Sequence, residues 1–447
     1  MPFVCSECGH RSVKWFGRCP TCGAWDSFGE ARSEDDPAET SSWLGEELQT
    51  IDQVAVNQVE RLATGMPELD RLLGGGLIPG GVILFGGEPG IGKSTLLLQI
   101  GEVVARHRGP VLYVSGEESE GQVKLRASRI GVDNERLYVL SEQSLARIVA
   151  AIEQVSPVAL IVDSIQTTVD ERTAGEAGSL RQLREVSNEL IRRAKSRQMA
   201  TFLVGHITKE GAFAGPKSVE HLVDVAVYLE GSRGEDVRIL RSVKNRFGAT
   251  HEVVVYRMTA EGMAEIADPS RFFLDDMETE PRPGTVVVPI LEGTRPILVE
   301  MQALVAPTGG YGVPQRRCTG LDVNRVLMML AVMEKHLGIQ AGAADVYLSL
   351  AGGLETRERG TDLGVIAAIC SSLRNRPLPP RSAIVGEVGL SGEIRSVRRL
   401  GERIREAEKM GMERIVVPGA PRVRDTDGID VIGAERIDRA IEAIGLA

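Results

Sequence analysis

Residues 81–98 read GVILFGGEPGIGKSTLLL. Val82 to Phe85 is a short apolar run of the kind that forms a buried strand. A turn of Gly87, Glu88, Pro89, Gly90, Ile91 and Gly92 follows, and Lys93, Ser94 and Thr95 lead into an apolar segment at helical spacing that runs to Val104. Gly87, Gly92, Lys93 and Ser94 fit G-x-x-x-x-G-K-[ST], in which backbone N–H groups wrap a polyphosphate, the lysine reaches the terminal phosphates and the hydroxyl binds Mg²⁺. Glycines at 87, 90 and 92 let the main chain curl close to the anion. Strand, loop and helix in this order predict an α/β nucleotide-binding fold.

Working outward toward the C-terminus, Val111 to Val114 is a second apolar run, ending in Ser115, Gly116, Glu117 and Glu118. A carboxylate at the end of a strand beside the phosphate loop can orient and deprotonate the attacking water, with Glu117 the first choice and Glu118 the second. Both also suit the start of a helix, where acidic groups favour the dipole. Ala159 to Val162 is a third buried strand, and Asp163 at its end has the place of a carboxylate that holds Mg²⁺. Leu180, Leu183, Val186, Leu190 and Ile191 recur at helical spacing and predict a covering helix. FLVGHITKEG, residues 202–211, reads as a strand ending in His206, Thr208 and Lys209, which suit either a γ-phosphate sensor or a structural role.

Lys217 to Glu230 reads as an amphipathic piece, and Val237–Val243 and His251–Tyr256 as strands, giving a mostly parallel sheet. Between those strands lie Lys244, Asn245, Arg246, Phe247 and Gly248, in a stretch, residues 231–250, with five basic and two acidic side chains. Such a loop can contact DNA phosphates, reach across a subunit interface as an arginine finger, or be a hairpin turn with solvated charges.

Toward the N-terminus, RLATGMPELDRLLGGGLIPGG (61–81) places a turn and a short helix, Glu68 to Leu73, before the phosphate loop; this lead-in resembles RecA and KaiC type ATPases. Residues 29–56 are polar and acidic, the composition of a linker. Before them, Cys5, Cys8, Cys19 and Cys22 form two C-x-x-C turns ten residues apart. Two such turns complete a tetrahedral Zn²⁺ site with no open position, so the ion is structural and residues 1–28 form a zinc module. Arg11, Lys14, Trp15 and Arg18 between the pairs suit contact with DNA or a partner, or a solvated face.

The chain has 447 residues and a net charge of −10, so any DNA contact is local rather than a basic coat. No apolar run is long enough to span a bilayer and the N-terminus lacks a signal-peptide core, so a cytoplasmic protein is expected. Cys318 and Cys370 have no cysteine near them in sequence and read as ordinary thiols.

The ordered set CxxC…CxxC, GEPGIGKST, VSGEES, LIVDS, GHITKEG and KNRFG resembles the bacterial RadA/Sms family of RecA-related DNA repair ATPases through the whole chain. The resemblance implies ATP, Mg²⁺ and Zn²⁺ as cofactors, DNA and a RecA-type recombinase as partners, and a hexameric ring that drives branch migration at recombination intermediates. It assigns Lys93 and Ser94 to phosphate and Mg²⁺, Asp163 to the metal shell, and Lys244 and Arg246 to coupling DNA with ATP. The ATPase domain is expected over 57–270.

Residues 284–447 resemble the proteolytic domain of Lon, notably in RGTDLGVIAAICSSL and IVGEVGLSGEIRSVRRLGERIREA. Lon chemistry uses a serine with a lysine partner. Here Asp362 stands where the serine belongs and Arg403 matches the lysine, and a carboxylate facing a permanently charged guanidinium forms an ion pair rather than a nucleophile. An inactive, α+β scaffold is expected. Residues 374–405 carry eight arginines against three acidic residues, and Arg398 and Arg399 are candidates for a DNA track or a ring contact. Two rival readings are a KaiC-like signalling ATPase with protein partners and an ATP-dependent protease.

Overall fold

The computed structural model describes residues 3–6, 10–30, 60–206, 218–231, 236–274, 281–308, 313–419 and 428–446. It forms two units, Met1–Gln58 and Val59–Ala447. In the first, three short strands, β1 (Phe3–Cys5), β2 (Arg11–Ser12) and β3 (Phe28–Glu30), pair antiparallel in the order β2-β1-β3. From residue 31 the expected acidic linker lies outside the described residues.

The second unit opens with α1 (Pro67–Leu72), its Pro at the first turn where no N–H is needed. Then come β4 (Val82–Gly87), α2 (Lys93–His107), β5 (Val111–Ser115), α3 (Glu120–Arg129), β6 (Leu137–Ser141), α4 (Leu145–Val155), β7 (Ala159–Asp163), α5 (Leu180–Arg197) and β8 (Ala200–His206). Strands β4, β5 and β7 are buried at every position, as expected for parallel strands covered on both faces. Alternate residues feed two cores. Ile83, Phe85, Tyr113 and Ile161 pack with α1, α2 and α3, while Leu84, Leu112, Leu160 and Leu203 pack with α4 and α5.

The sheet continues into β9 (Val225–Glu230), β10 (Val237–Asn245), β11 (Val253–Thr259) and β12 (Gly262–Glu265), in the overall order β12-β11-β10-β9-β4-β8-β7-β5-β6. β9 is parallel to β4, whereas β10, β11 and β12 join antiparallel. The end of the segment read as amphipathic, Lys217 to Glu230, is therefore the buried strand β9, whose run VAVYL has strand composition.

Helix α6 (Pro269–Leu274) leads into a seven-stranded mixed sheet. Its elements are β13 (Thr285–Glu292), β14 (Arg295–Pro307), β15 (Arg316–Thr319), α7 (Val323–Leu337), β16 (Ala344–Leu350), α8 (Asp362–Arg374), β17 (Ser382–Ile384), the hairpin β18 (Glu387–Val388) and β19 (Ile394–Arg395), α9 (Leu400–Lys409), β20 (Arg414–Pro418), β21 (Asp430–Ala434) and α10 (Ile437–Ala443). The two sheets are joined through side chains. Val237 and Val255 of the first share one apolar cluster with Phe273, Val286 and Met301, and Arg241 pairs with Glu292 at 2.7 Å.

Among the described residues no helix is long and apolar enough to cross a membrane.

Candidate active site

Parallel strands end together, so β4, β5, β7 and β8 deliver their last residues to one edge of the sheet. There a cleft of about 350 Å³ is lined by Lys93, Ser94, Glu117, Glu118, Asp163 and His206 among others. Gly90 and Gly92 hold φ values of +78° and +113°, which side chains other than glycine rarely adopt. A Cβ on Gly92 would also lie 2.2 Å from the Met263 methyl. As the N-cap of α2, Gly92 offers no capping side chain, so the first-turn N–H groups of the helix face the cleft as an anion seat.

Lys93 is buried, and its ammonium donates to the carbonyls of Gly87 at 2.9 Å and Glu88 at 3.0 Å. Burial pulls its pKa down to about 8, against the opposing pull of Asp163 and Glu117. It also lies 2.9 Å from His206 Nδ1. An ammonium only donates, so Nδ1 accepts and Nε2 carries the ring proton toward Glu117 Oε1, 3.2 Å away. The Ser164 hydroxyl donates to the same Glu117 oxygen at 3.0 Å.

The Ser94 hydroxyl donates to Asp163 Oδ2 at 2.5 Å, and the Tyr113 phenol donates to that oxygen at 2.6 Å. Burial, and then the charge of Asp163, push the Tyr113 phenol well above its ordinary range and keep it a donor. A hydroxyl and a carboxylate side by side at a phosphate loop are the hard oxygen ligands Mg²⁺ takes. Glu118 is held differently: its carboxylate pairs with Arg126, its N–H donates to Ser115 Oγ at 3.0 Å and its carbonyl accepts from Ser141 Oγ at 3.0 Å. Of the two glutamates, Glu117 is half exposed in the cleft and Glu118 is tied into an ion pair.

Lys244 and Arg246 are not in this cleft. β10 runs antiparallel to β9, so its C-terminal end meets the beginning of β9 and β4, at the opposite end of the strand from the phosphate loop. Lys244 donates to the carbonyls of Glu220, His221 and Val223 at 2.9, 3.1 and 2.8 Å. The exposed Arg246 lies 3.4 Å from Asp224 Oδ1, while Asp224 Oδ2 accepts from Val82 N at 3.1 Å. Asn245, expected at a DNA surface, is buried: its amide donates to the Leu72 carbonyl and accepts from Phe247 N. Phe247 packs against the core, so these two residues brace the turn while Arg246 and Gly248 stay exposed.

In the first unit the sulfurs of Cys5, Cys19 and Cys22 lie within 4.8 Å of one another, with Cys5 and Cys22 3.7 Å apart. Four thiolates about 2.3 Å from one zinc ion sit about 3.8 Å from each other, so the spacing suits a tetrahedral site. Cys8 lies outside the described residues.

In the C-terminal sheet the expected pairing is exchanged. Asp362, 1% exposed, pairs with Arg325 at 2.5 Å and accepts from Val388 N at 3.0 Å. Arg403, 0% exposed, pairs instead with Glu358 and donates to the carbonyls of Pro289 and Arg398. Arg403 therefore belongs to no basic face. Arg398 and Arg399 are exposed, the latter pairing with Glu402 at 2.7 Å.

Residues 47–212 match the family model described as an AAA domain, and residues 3–30 match one described as a rubredoxin metal binding domain. A Halalkalibacterium halodurans protein named DNA repair protein RadA is 44% identical over 98% of this chain and 97% of its own length. Proteins of the same name from Bacillus subtilis and Listeria monocytogenes are 42% and 43% identical, each over 98% of this chain and 97% of their own. The chain belongs to the RadA family.

A RadA chain with this AAA domain takes ATP with Mg²⁺, and its ribbon takes Zn²⁺. Sequence reading missed Tyr113, Ser164 and Arg126. Tyr113 sits inside an apolar strand where it reads as core, and Ser164 is one residue past Asp163 with no pattern of its own. Arg126 is eight residues beyond Glu118, which lies before α3, so no helical spacing announces the pair. Thr208 and Lys209 lie outside the described residues.

Proposed function

We propose that the chain is a DNA-stimulated ATPase of recombinational repair in the cytoplasm, a ring-shaped, hexameric motor that drives branch migration and works with a RecA-type recombinase. The observation that carries this reading is the placement of the two motifs at opposite ends of β4: the phosphate loop follows Gly87, and the turn that carries Arg246 is fastened to Val82 through Asp224. A chain cannot bring its own Arg246 to its own cleft, so a role in hydrolysis requires the next copy, and a ring supplies one to every cleft.

In this reading Lys93 and the first turn of α2 hold the triphosphate, and Ser94 and Asp163 hold the metal, which supplies charge neutralisation at the transferring phosphate. Glu117 orients and deprotonates water, its carboxylate aimed by Ser164 and His206. Glu118, neutralised by Arg126, fixes the turn that carries Glu117. Loss of phosphate releases His206 and Lys93 to each other and changes the hold of the Lys244–Gly248 turn on DNA, with Arg398 and Arg399 as a second contact. The residues in the Asp362 and Arg403 positions argue for a scaffold in place of a peptidase.

Turnover measured with and without single-stranded DNA, together with the mass of the assembly by light scattering, tests the proposal. Stimulation by DNA in a ring is the expected result. Identical turnover in both conditions by a monomer overturns it and favours a signalling ATPase.

A further inference from the structure

Two of the chain's three tryptophans, Trp15 and Trp25, are on the zinc ribbon, and they are 53% and 72% exposed. A small metal-held module has little core to bury a large ring in, but it does not have to present two of them to water. The rings are held in place. Trp15 lies over Gly17, where a Cβ would come within 3.5 Å of the indole, and the Gly17 carbonyl accepts from Asp26 N at 2.8 Å. The Arg18 guanidinium stands 5.6 Å from the centre of the Trp25 ring, and its Nε donates to the Gly23 carbonyl at 2.9 Å. Arg18 and Trp25 also pair as a β-bridge, so Trp15, Gly17, Arg18 and Trp25 make one continuous strip.

The segment that carries Trp15 is opposite in charge to the chain, while Asp26 stands next to Trp25. Residues 11–18, RSVKWFGR, carry three cations and no carboxylate, in a protein of net charge −10. Flat π-faces interleaved with fixed cations are what unpaired bases and their phosphates require: each base has a face to stack, and each phosphate a cation to meet. A folded protein partner would have to be acidic to match these cations. A duplex hides its base faces.

We infer that the ribbon is a stacking platform for single-stranded nucleic acid, with Trp15 and Trp25 taking bases and Lys14 and Arg18 taking phosphates. The inference rests on the DNA reading above and adds a contact that neither the Lys244–Gly248 turn nor Arg398 and Arg399 provide. Both tryptophans are in the ribbon, so Trp43→Phe leaves intrinsic fluorescence as a direct report on the strip.

The test uses the full-length Trp43→Phe protein titrated with a thymidine oligonucleotide, with bound zinc measured in every variant. The expected result is quenching by the single strand and little by a duplex of the same length. With binding of the variants read by the anisotropy of a dye-labelled thymidine oligonucleotide, Trp15→Ala with Trp25→Ala is expected to raise the apparent Kd about tenfold or more while retaining zinc, and Trp25→Phe to recover part of the loss. Arg18→Gln is expected to lower the salt slope of binding by about one. Equal quenching by duplex, or an unchanged Kd in the zinc-loaded double variant, overturns the platform. If the unaltered protein binds the oligonucleotide and the double variant binds it equally, only the platform falls; if the unaltered protein neither binds it nor hydrolyses ATP faster with it, the DNA reading falls as well.

Discussion

The Ser94 hydroxyl and the Asp163 carboxylate, 69 residues apart in sequence, meet at 2.5 Å where the first turn of α2 faces the end of β7. The Tyr113 phenol holds the same carboxylate oxygen, so the second Asp163 oxygen and the Ser94 lone pairs are what remain for a hard cation. Ser94→Ala is expected to lower ATP turnover at limiting Mg²⁺ and to recover part of it as Mg²⁺ is raised, whereas Asp163→Ala is not rescued. A Mg²⁺ titration of the initial rate distinguishes the two.

Lys93 has a folded-state pKa of about 8 against an ordinary 10.5, because burial disfavours its charge. Its cost to folding is therefore present below pH 8 and fades as pH rises from about 8 to 10.5, where the unfolded chain binds more protons. Phosphates in the cleft restore the charge. ATP binding near pH 8.5 is expected to take up protons, seen by calorimetry in buffers of different ionisation enthalpy, and Lys93→Met is expected to remove that uptake. Lys93→Ala is expected to reduce turnover by about 10²-fold or more.

Glu117 and Glu118 are adjacent in sequence but only Glu117 has a carboxylate turned to the cleft without a cationic partner in an ion pair, its neighbours being Ser164 and His206. Glu117→Gln is expected to cost about 10²–10⁴-fold in kcat with ATP affinity retained. Glu118→Gln is expected to act more weakly, and Arg126→Ala to resemble it. Comparable losses of kcat at both glutamates would remove the division of roles.

Arg246→Ala is expected to leave nucleotide binding intact and to uncouple hydrolysis from branch migration. Mixing this variant with the unaltered protein is expected to depress activity more steeply than the fraction added, as the proposed reach of Arg246 into a neighbour's cleft requires. A linear decline argues that every chain acts alone.

Arg403 is fully buried and pairs with the partly exposed Glu358, and Asp362 is buried and pairs with the partly exposed Arg325. Arg403→Met leaves Glu358 with the Leu291 N–H but without its cation, strips the Pro289 and Arg398 carbonyls of a donor, and is expected to cost about 3–5 kcal/mol, read as a loss of denaturation midpoint. Asp362→Ser is expected to yield no peptidase, because Arg403 stays bound to Glu358; cleavage of an unfolded substrate by that variant would refute the scaffold assignment.

Local pattern carried the phosphate loop, the strands that end at Glu117, Asp163 and His206, and the paired cysteines, because each depends on residues close together in sequence. What escaped was set by long-range pairing. Asp362 and Arg403 read in sequence as the counterparts of one pair, yet Arg325 and Glu358 reach them first. The KNRFG turn reads as a uniformly exposed basic loop, but Asn245 serves the Leu72 carbonyl and Lys244 closes three carbonyls of a neighbouring turn. The strand β9 was obscured because its first half lies beside polar residues that carry a helical rhythm.

The apolar cluster that holds Val237 and Val255 together with Phe273 and Met301 has no seam at which the protein can be cut. A fragment that stops before residue 281 would leave those valines wet, and one that starts there would lose the ring of Phe273 from beneath Gly352. The C-terminal sheet is in this way indispensable: the outer strands of the nine-stranded sheet need it as a lid of oil, and shortened versions are expected to clump before they can be assayed.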